Sequence, residues 1–450
     1  MQSKKRQLIL GAGATMVGGL LPLVKAAAAT ATVPTSSRTL VAAYFGGWSK
    51  PIDASQQWLD GDNPWGVYPT AAFPNVHHRM GLEEFADRYP IEGPWRADGT
   101  GGYDEKQPEF MQSAIESAHS YGVDVFAVNW YRNEFLNYPV ENLKLDTASN
   151  TFKISNPEKI KWFLQWSNNS NYHSNPPSDS RDYFYEGIRL AALHMKDQPY
   201  YWTLKNKPVF AIFDVSQIDR IINLSAGRPA KYAVPEAEYS AFVASRDAFL
   251  KDCHNIVANV LAGQADGGIS GSGQAVTVTQ RQASFVPSMY LLVATGDVGG
   301  WASSAAVDAM YAYNIRSGKF NGVQRRATSY DEITQAAQAT YDLYIPAMRK
   351  YLPKQVSWWP TLVSGYDDRP WFGSDTDPGV QQCPATDAQF QQHCSQVNRV
   401  HNANIDVTGG ITFIYAWNEW GEGGWIAPSA GSGYTKLQTL KTYLKDAPAS

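Results

Sequence analysis

The segment Ile411-Thr412-Phe413-Ile414-Tyr415-Ala416-Trp417-Asn418-Glu419-Trp420-Gly421-Glu422-Gly423-Gly424-Trp425 runs an apolar stretch directly into two carboxylates three residues apart. On one helical turn, β-carbons at that spacing lie roughly 5–6 Å apart. Carboxyl groups about 5 Å apart can serve opposite sides of one glycosidic centre, as in retaining glycosidases. Such cleavage needs a proton for the departing oxygen and a second carboxylate acting on the sugar. Crowding of like charges pushes one pKa upward, which supplies the acid. A Glu pair on an arbitrary loop is more often a solvated surface feature. Here the pair follows a buried strand and sits among aromatics, which favours a site. Gly421, Gly423 and Gly424 suit close approach by backbone or ligand, and a plain turn would use them too.

A site of this kind needs a scaffold that ends strands at one face. Apolar runs suited to strands buried on both sides recur at 40–45, 122–130, 160–166 and 208–213, then at 255–261, 307–313, 356–362 and 411–417. Phe285–Val293 competes with the fifth and sixth of these. Between strands, Phe110, Met111, Ala114, Ile115, Ala118 and Tyr121 share one helix face, as do Ile333, Ala336, Ala337, Tyr341, Tyr344 and Met348. The alternation predicts an α/β fold, a (β/α)8 TIM barrel with long catalytic-face loops. An open doubly wound sheet is the alternative, weakened because no Gly-rich phosphate loop follows the first strand. Residues 46–104 form a long insertion rich in Trp, Pro, Gly and Asp, which a barrel would place at the catalytic face. The Gly/Ser stretch 263–273 reads as a loop rather than a boundary.

The chain has 450 residues, 44% hydrophobic and 18% charged, with a net charge of −4. This excludes a disordered or collagenous class and disfavours an electrostatic nucleic-acid binder. The 15 Trp and 25 Tyr against 18 Phe favour rings with a polar edge, suited to sugar stacking as well as core packing. Residues 1–30 read as a signal peptide: Lys4, Lys5 and Arg6 precede the apolar stretch from Leu8 to Val24, then small residues from Ala26 to Ala29. The basic cluster loosely resembles a twin-arginine export signal. The expected mature chain, 31–450, is one catalytic domain, periplasmic or secreted. No later stretch is apolar for the ~20 residues a spanning helix needs. In an oxidising compartment, Cys383 and Cys394 could close a local disulfide, leaving Cys253 as a small buried hydrophobe.

The acidic segment resembles the Asn-Glu-Trp-x-Glu-Gly signature of glycoside hydrolase family 99 and the wider family-99-like group, which includes proteins of polysaccharide biosynthesis. Further matches follow in order: Tyr44-Phe45, Tyr103-Asp104-Glu105 with Pro108-Glu109, the strand from Gly122 to Tyr131, Val307 to Asn314, and Gly365 to Pro370. A more distant similarity links the chain to family-71 α-1,3-glucanases. The resemblance implies a retaining α-glycosidase on a (β/α)8 barrel. It assigns Glu419 as base toward the sugar 2-hydroxyl, which attacks the anomeric carbon, and Glu422 as the proton donor. Spacing alone fits a direct nucleophile equally well. Tyr44 and Trp130 match positions lining the subsite of the cleaved sugar. Gly421 stands where characterised members carry His, and Gly424 where Thr is common, which bears on mannan specificity.

Trp48, Asn418, Trp420, Trp425 and Asp367 complete the expected substrate-binding set. Trp420 and Trp425 could stack on sugar or simply pack. Asp367 and Asp368 could bind hydroxyls or serve a turn before Pro370. No metal or cofactor is expected: His77 and His78 are adjacent, no HExxH spacing occurs, and Asp60-Gly61-Asp62-Asn63 lacks the glutamate that completes a calcium loop. The reading is an exported hydrolase, endo-acting on an α-linked oligo- or polysaccharide. A glycosyltransferase or processing factor for polysaccharide, and a noncatalytic sugar-binding barrel, are the alternatives.

Overall fold

A computed structural model describes residues 38–48, 80, 82–92, 105, 107–132, 137–168, 180–269, 286–295, 298–350, 356–372 and 380–447. The signal-peptide reading, His77, His78, the Asp60–Asn63 fragment, Tyr103, Asp104 and most of the 46–104 insertion lie outside these residues.

Mostly apolar strands build the central sheet. They are β1 (Thr39–Tyr44), β2 (Val125–Trp130), β3 (Lys161–Trp166), β4 (Lys207–Ile212), β5 (Tyr290–Ala294), β6 (Ala309–Tyr311), β7 (Ser357–Trp359), β8 (Thr361–Val363) and β9 (Ile411–Tyr415). Their order is β7-β6-β5-β4-β3-β2-β1-β9-β8, with parallel pairing between neighbours. Only Pro360 separates β7 from β8. Proline has no N–H to give a ladder, so the segment bends there. Its first half pairs with β6 and its second with β9, while Phe413 N–H donates to the Pro360 carbonyl at 3.0 Å. That one bent segment closes the sheet into the expected (β/α)8 barrel.

Helices cover the outside: α1 (Pro108–Ser120), α2 (Arg181–Met195), α3 (Ser216–Ser225), α4 (Glu236–Leu261), α5 (Tyr330–Arg349) and α6 (Asp387–Ala403). Their starts are set locally. The Ser180 and Ser329 hydroxyls accept from the N–H groups of Tyr183 and Glu332, and Thr386 with Gln389 forms a capping box. Outward-facing rings bind helices to the barrel, as Trp166 does against Phe184 of α2 at 4.7 Å and Trp358 against Tyr344 of α5 at 4.6 Å. Inside, Phe163, Trp202, Trp359 and Tyr290 form a chain of ring contacts that fills the lumen.

One expected strand is a helix. Residues 255–261 end α4, where Phe249, Leu250, Cys253, Ile256, Val257 and Val260 are buried at helical spacing. A seven-residue apolar window cannot separate the two periods, whereas the longer window shows the 3.6-residue repeat. The fifth strand is β5, which overlaps the competing run and ends one residue past it. The expected disulfide is also absent: Cys253, Cys383 and Cys394 are free and buried. Cys383 lies on a short strand with its thiol toward the Ala327 carbonyl, 3.4 Å away, while Cys394 lies within α6. The two thiols belong to different elements and meet different neighbours.

Three buried histidines set an expected acid response. Burial lowers His254 to about 4, and His393 and His401 to about 3. His254 must stay neutral, since its Nδ1 accepts from the Ser288 N–H at 3.2 Å and its Nε2 faces the Ala306 carbonyl at 2.9 Å. In the unfolded chain these rings protonate near the ordinary value of about 6.5. Below that, the unfolded state binds more protons than the folded one, so stability falls as pH drops from about 6.5 toward 4. The urea midpoint should decline through this window; a flat profile would contradict it.

Candidate active site

β9 passes through a cis peptide between Tyr415 and Ala416. Asn418–Glu419 then pairs antiparallel with Gly424–Trp425 around the 3₁₀ turn Trp420–Glu422. Side chains three apart eclipse in such a turn, so Glu419 and Glu422 come to one side. The turn follows the C-terminal end of β9, the catalytic face of barrels of this kind.

Glycine is required at two places. Gly423 has φ +69°, and a Cβ there would meet Asp367 N at 2.6 Å. A Cβ on Gly424 would meet the Tyr415 ring at 2.3 Å. That ring matters, because the Tyr415 hydroxyl donates to Glu422 Oε2. Gly424→Ala should therefore displace the ring and lower turnover by roughly 10–10²-fold, the scale of a small misplacement. Steady-state kinetics beside a melting curve checks this; parental turnover in Gly424→Ala would refute the contact's importance.

Asn418 clamps the turn to the rest of the mouth. Its Oδ1 accepts from Phe45 N–H at 2.7 Å, and its Nδ2 donates to the Phe45 carbonyl at 2.8 Å and to Glu105 Oε1 at 2.6 Å. Trp48 Nε1 donates to the Asn418 carbonyl at 2.8 Å. Asn418 and Trp48 are thus buried framework that aims Glu419. Glu419 is 6% exposed, while Glu422 is half-buried. Burial pushes the Glu419 pKa well above the usual carboxylate range; the Glu422 charge adds to this, the Tyr313 hydrogen bond opposes it, and Glu105 adds further. Tyr313, just past β6, donates to Glu419 Oε1 at 2.7 Å.

Beyond Glu422 lies a further carboxyl group. Burial raises Asp368 to about 6, the Gln381 N–H opposes this, and the Glu422 charge adds to it. Asp368 Oδ2 accepts from Tyr366 at 3.3 Å, and Arg316 donates to that same tyrosine hydroxyl. Asp367, the aspartate expected to bind sugar, is turned away instead. Arg88 pairs with it, and Arg369 donates at 2.9 Å to Oδ1 and 2.7 Å to Oδ2. Arg88 also donates to the Trp420 carbonyl at 2.7 Å, so this cluster braces the acidic turn.

The expected aromatic walls are placed differently too. Asn129 points into the barrel, so strand alternation puts Trp130 on the outer face, against Trp166 at 5.8 Å and His194 of α2 at 6.0 Å. Tyr44 packs on Phe126 at 5.1 Å, on the same outer side. Trp420 is fully buried against Trp425, whose ring has Lys436 Nζ 4.0 Å and Arg88 5.6 Å from its centre. These rings are packing elements. Tyr313, Glu105, Asn129 and Gln165 lie outside the expected substrate-binding set, whereas Asp368 is one of the two aspartates read as able to bind hydroxyls. For Asn129, Gln165 and Tyr313 the signal is a polar residue inside an apolar strand or just past its end; Glu105, before α1, is marked only by the family resemblance. Among the described residues, no group of His, Cys, Asp and Glu is arranged to hold a metal, and no helix is long and apolar enough to cross a membrane.

The described strands thus form a closed parallel barrel with a pair of carboxylates at its mouth. A solved "Glycoside hydrolase-like protein" shares the fold, with TM-score 0.51 and 13% identity over 96% of this chain and 98% of its own. Two structures of the family-99 endo-α-mannosidase from Bacteroides thetaiotaomicron, one with bis-tris-propane bound, are 14% identical, with TM-scores of 0.45 and 0.46. They cover 87% and 89% of this chain, and 87% and 95% of their own. No curated protein matches. The family model described as "Glycosyltransferase WbsX" matches residues 92–440, and the chain belongs to this family. The family-99-like resemblance read from the motifs therefore holds.

Proposed function

We propose that the protein is an exported retaining glycoside hydrolase, endo-acting on an α-linked polysaccharide. The observation that carries this is the Glu419–Glu422 pair, held on one side of a rigid 3₁₀ turn at the barrel mouth, with Glu419 raised by burial and by its neighbour. Glu419 takes the proton of the sugar 2-hydroxyl, whose oxygen forms a bond to the anomeric carbon. The glycosidic C–O bond breaks, and Glu422 gives its proton to the departing oxygen. Glu422 then takes a proton from water, which attacks the anomeric carbon; the 1,2-bond opens and Glu419 returns its proton to O2. Two displacements give net retention. Burial and like charge favour a single proton on the pair; the reacting form is the one with that proton on Glu422, and the Tyr313 hydroxyl, donating to Glu419, favours it. Tyr313 supports the ionised form and Tyr415 holds Glu422.

The family description favours a second reading, transfer of a sugar from a nucleotide donor. The groups around the pair oppose it. Glu105, Asp368, Glu419 and Glu422 converge here with Arg316, a balance that repels a diphosphate. Incubation with α-mannans, α-glucans and bacterial exopolysaccharides, reading new reducing ends, tests the hydrolase. Sugar-nucleotide donors with the same glycans as acceptors test the transferase. Donor consumption without polymer cleavage would overturn the proposal.

A further inference from the structure

The interior of the barrel holds a line of polar groups that reaches Tyr313 and, through it, Glu419. Asn129 of β2 and Gln165 of β3 are register partners, so both project inward side by side. The Tyr311 hydroxyl donates to Gln165 Oε1 at 2.7 Å, and Gln165 Nε2 donates to Asn129 Oδ1 at 2.5 Å. Asn129 Nδ2 donates to the Tyr313 hydroxyl at 3.1 Å, and that hydroxyl donates to Glu419 Oε1 at 2.7 Å. Tyr311 and Gln165 are fully buried, with the Tyr311 ring 4.5 Å from Phe413. Every bond in the line points the same way, from the barrel interior to the carboxylate.

We propose that Tyr311 and Gln165 are positioning residues that set the direction of this line and so keep Glu419 a hydrogen-bond acceptor. The catalytic meaning rests on reading Glu419 as the base. The argument is one of donor counting. Tyr313 has one proton; having accepted from Asn129, it can only spend that proton on Glu419. If Glu419 were protonated and donated to Tyr313, the line would have to reverse. Tyr313 would donate to Asn129 Oδ1, Asn129 to Gln165 Oε1, and Gln165 to the Tyr311 oxygen. The Tyr311 proton would then lose Gln165 as acceptor inside a fully buried lumen. A buried donor left unsatisfied is costly, so the far end of the line opposes a proton on Oε1; a proton on Oε2 leaves the line in place but exchanges the charge-assisted bond from Tyr313 to a carboxylate for a weaker one to a neutral carboxyl oxygen. This offsets part of the upward push from burial and from the other acids facing Glu419. Those are, among the described residues, Glu422 on its own turn and Glu105 beside Asn418; the hydroxyls of Tyr313 and Tyr415 also face it.

The test measures Glu419 directly, so it does not depend on turnover. In protein labelled with ¹³C-glutamate, the δ-carbon resonance missing from Glu419→Gln identifies the group, and its pH midpoint is followed. Tyr311→Phe removes one oxygen and keeps the ring; Gln165→Met breaks the line two residues from Glu419. Both abolish the penalty on the reversed direction, so each should raise the midpoint by about half to one unit. The acid limb of kcat/KM should move up with it. A merely structural role would lower the melting temperature and leave the midpoint alone. An unchanged midpoint in folded Tyr311→Phe overturns the proposal, even if Gln165→Met fails to fold. If the protein cleaves no glycan yet the midpoint moves, the relay stands and the hydrolase reading fails.

Discussion

Glu422→Gln should lower cleavage of the cognate polysaccharide by roughly 10²–10⁴-fold, the usual worth of a positioned general acid or base. Glu419→Gln should lose at least as much. The two differ with an aryl glycoside whose leaving group needs no proton. That substrate should partly rescue Glu422→Gln, which lacks only leaving-group protonation, and should leave Glu419→Gln inactive. If the rescue appears in Glu419→Gln instead, the roles are exchanged. Burial and the Glu422 charge raise Glu419, and the base must be ionised to work. Activity should therefore fall with decreasing pH at a midpoint above the ordinary carboxylate value of about 4.3. Glu422→Gln removes one cause of that shift, so with the activated substrate its acid limb should move to lower pH. Melting temperatures of both variants should stay near the parent, since active-site carboxylates are commonly held at some cost to stability. Parental rates in both variants would reduce the motif to scaffold.

Asn418→Asp should be among the most damaging single changes to stability. It replaces the amide that donates to Glu105 Oε1 and to the Phe45 carbonyl with a group that can only accept when ionised. Two carboxylates would then face each other in a buried setting. The cost should be about 3–5 kcal/mol, the scale for leaving a buried charge uncompensated. Adding Glu105→Gln supplies a donor from the other side and should recover part of it. Urea denaturation of both single variants and the double variant gives the coupling energy. Simple additivity would show that Asn418 and Glu105 act separately, and the clamp would have to be abandoned.

Chemistry in this protein was legible where it is local. The run from Ile411 to Trp425 announces a buried strand ending in paired acids, and the structure places it at the barrel mouth. The strands β1 to β4 and the helices α1 and α5 follow from periodicity because each is long enough to show one repeat cleanly. Gly424 was visible as a likeness to a turn; its contact with the Tyr415 ring was not. The 255–261 run does not show its helical period on its own, because seven residues span only about two turns of the helix that contains it.

By itself, the sequence determined the class of fold, the position of the acidic turn and the two carboxylates on it, since these depend on hydrophobic period and on neighbours along the chain. Only tertiary structure decided which aromatic and acidic side chains meet them. Trp130 went outward because Asn129, its polar neighbour on an alternating strand, took the lumen position beside Gln165. Asp367 went to Arg88 and Arg369, leaving Asp368 nearer Glu422. Glu105 met Asn418 across 313 residues of chain. Such choices turn on which groups satisfy each other's hydrogen bonds once water is gone. That competition is between residues distant in sequence, and it is settled only when the barrel closes.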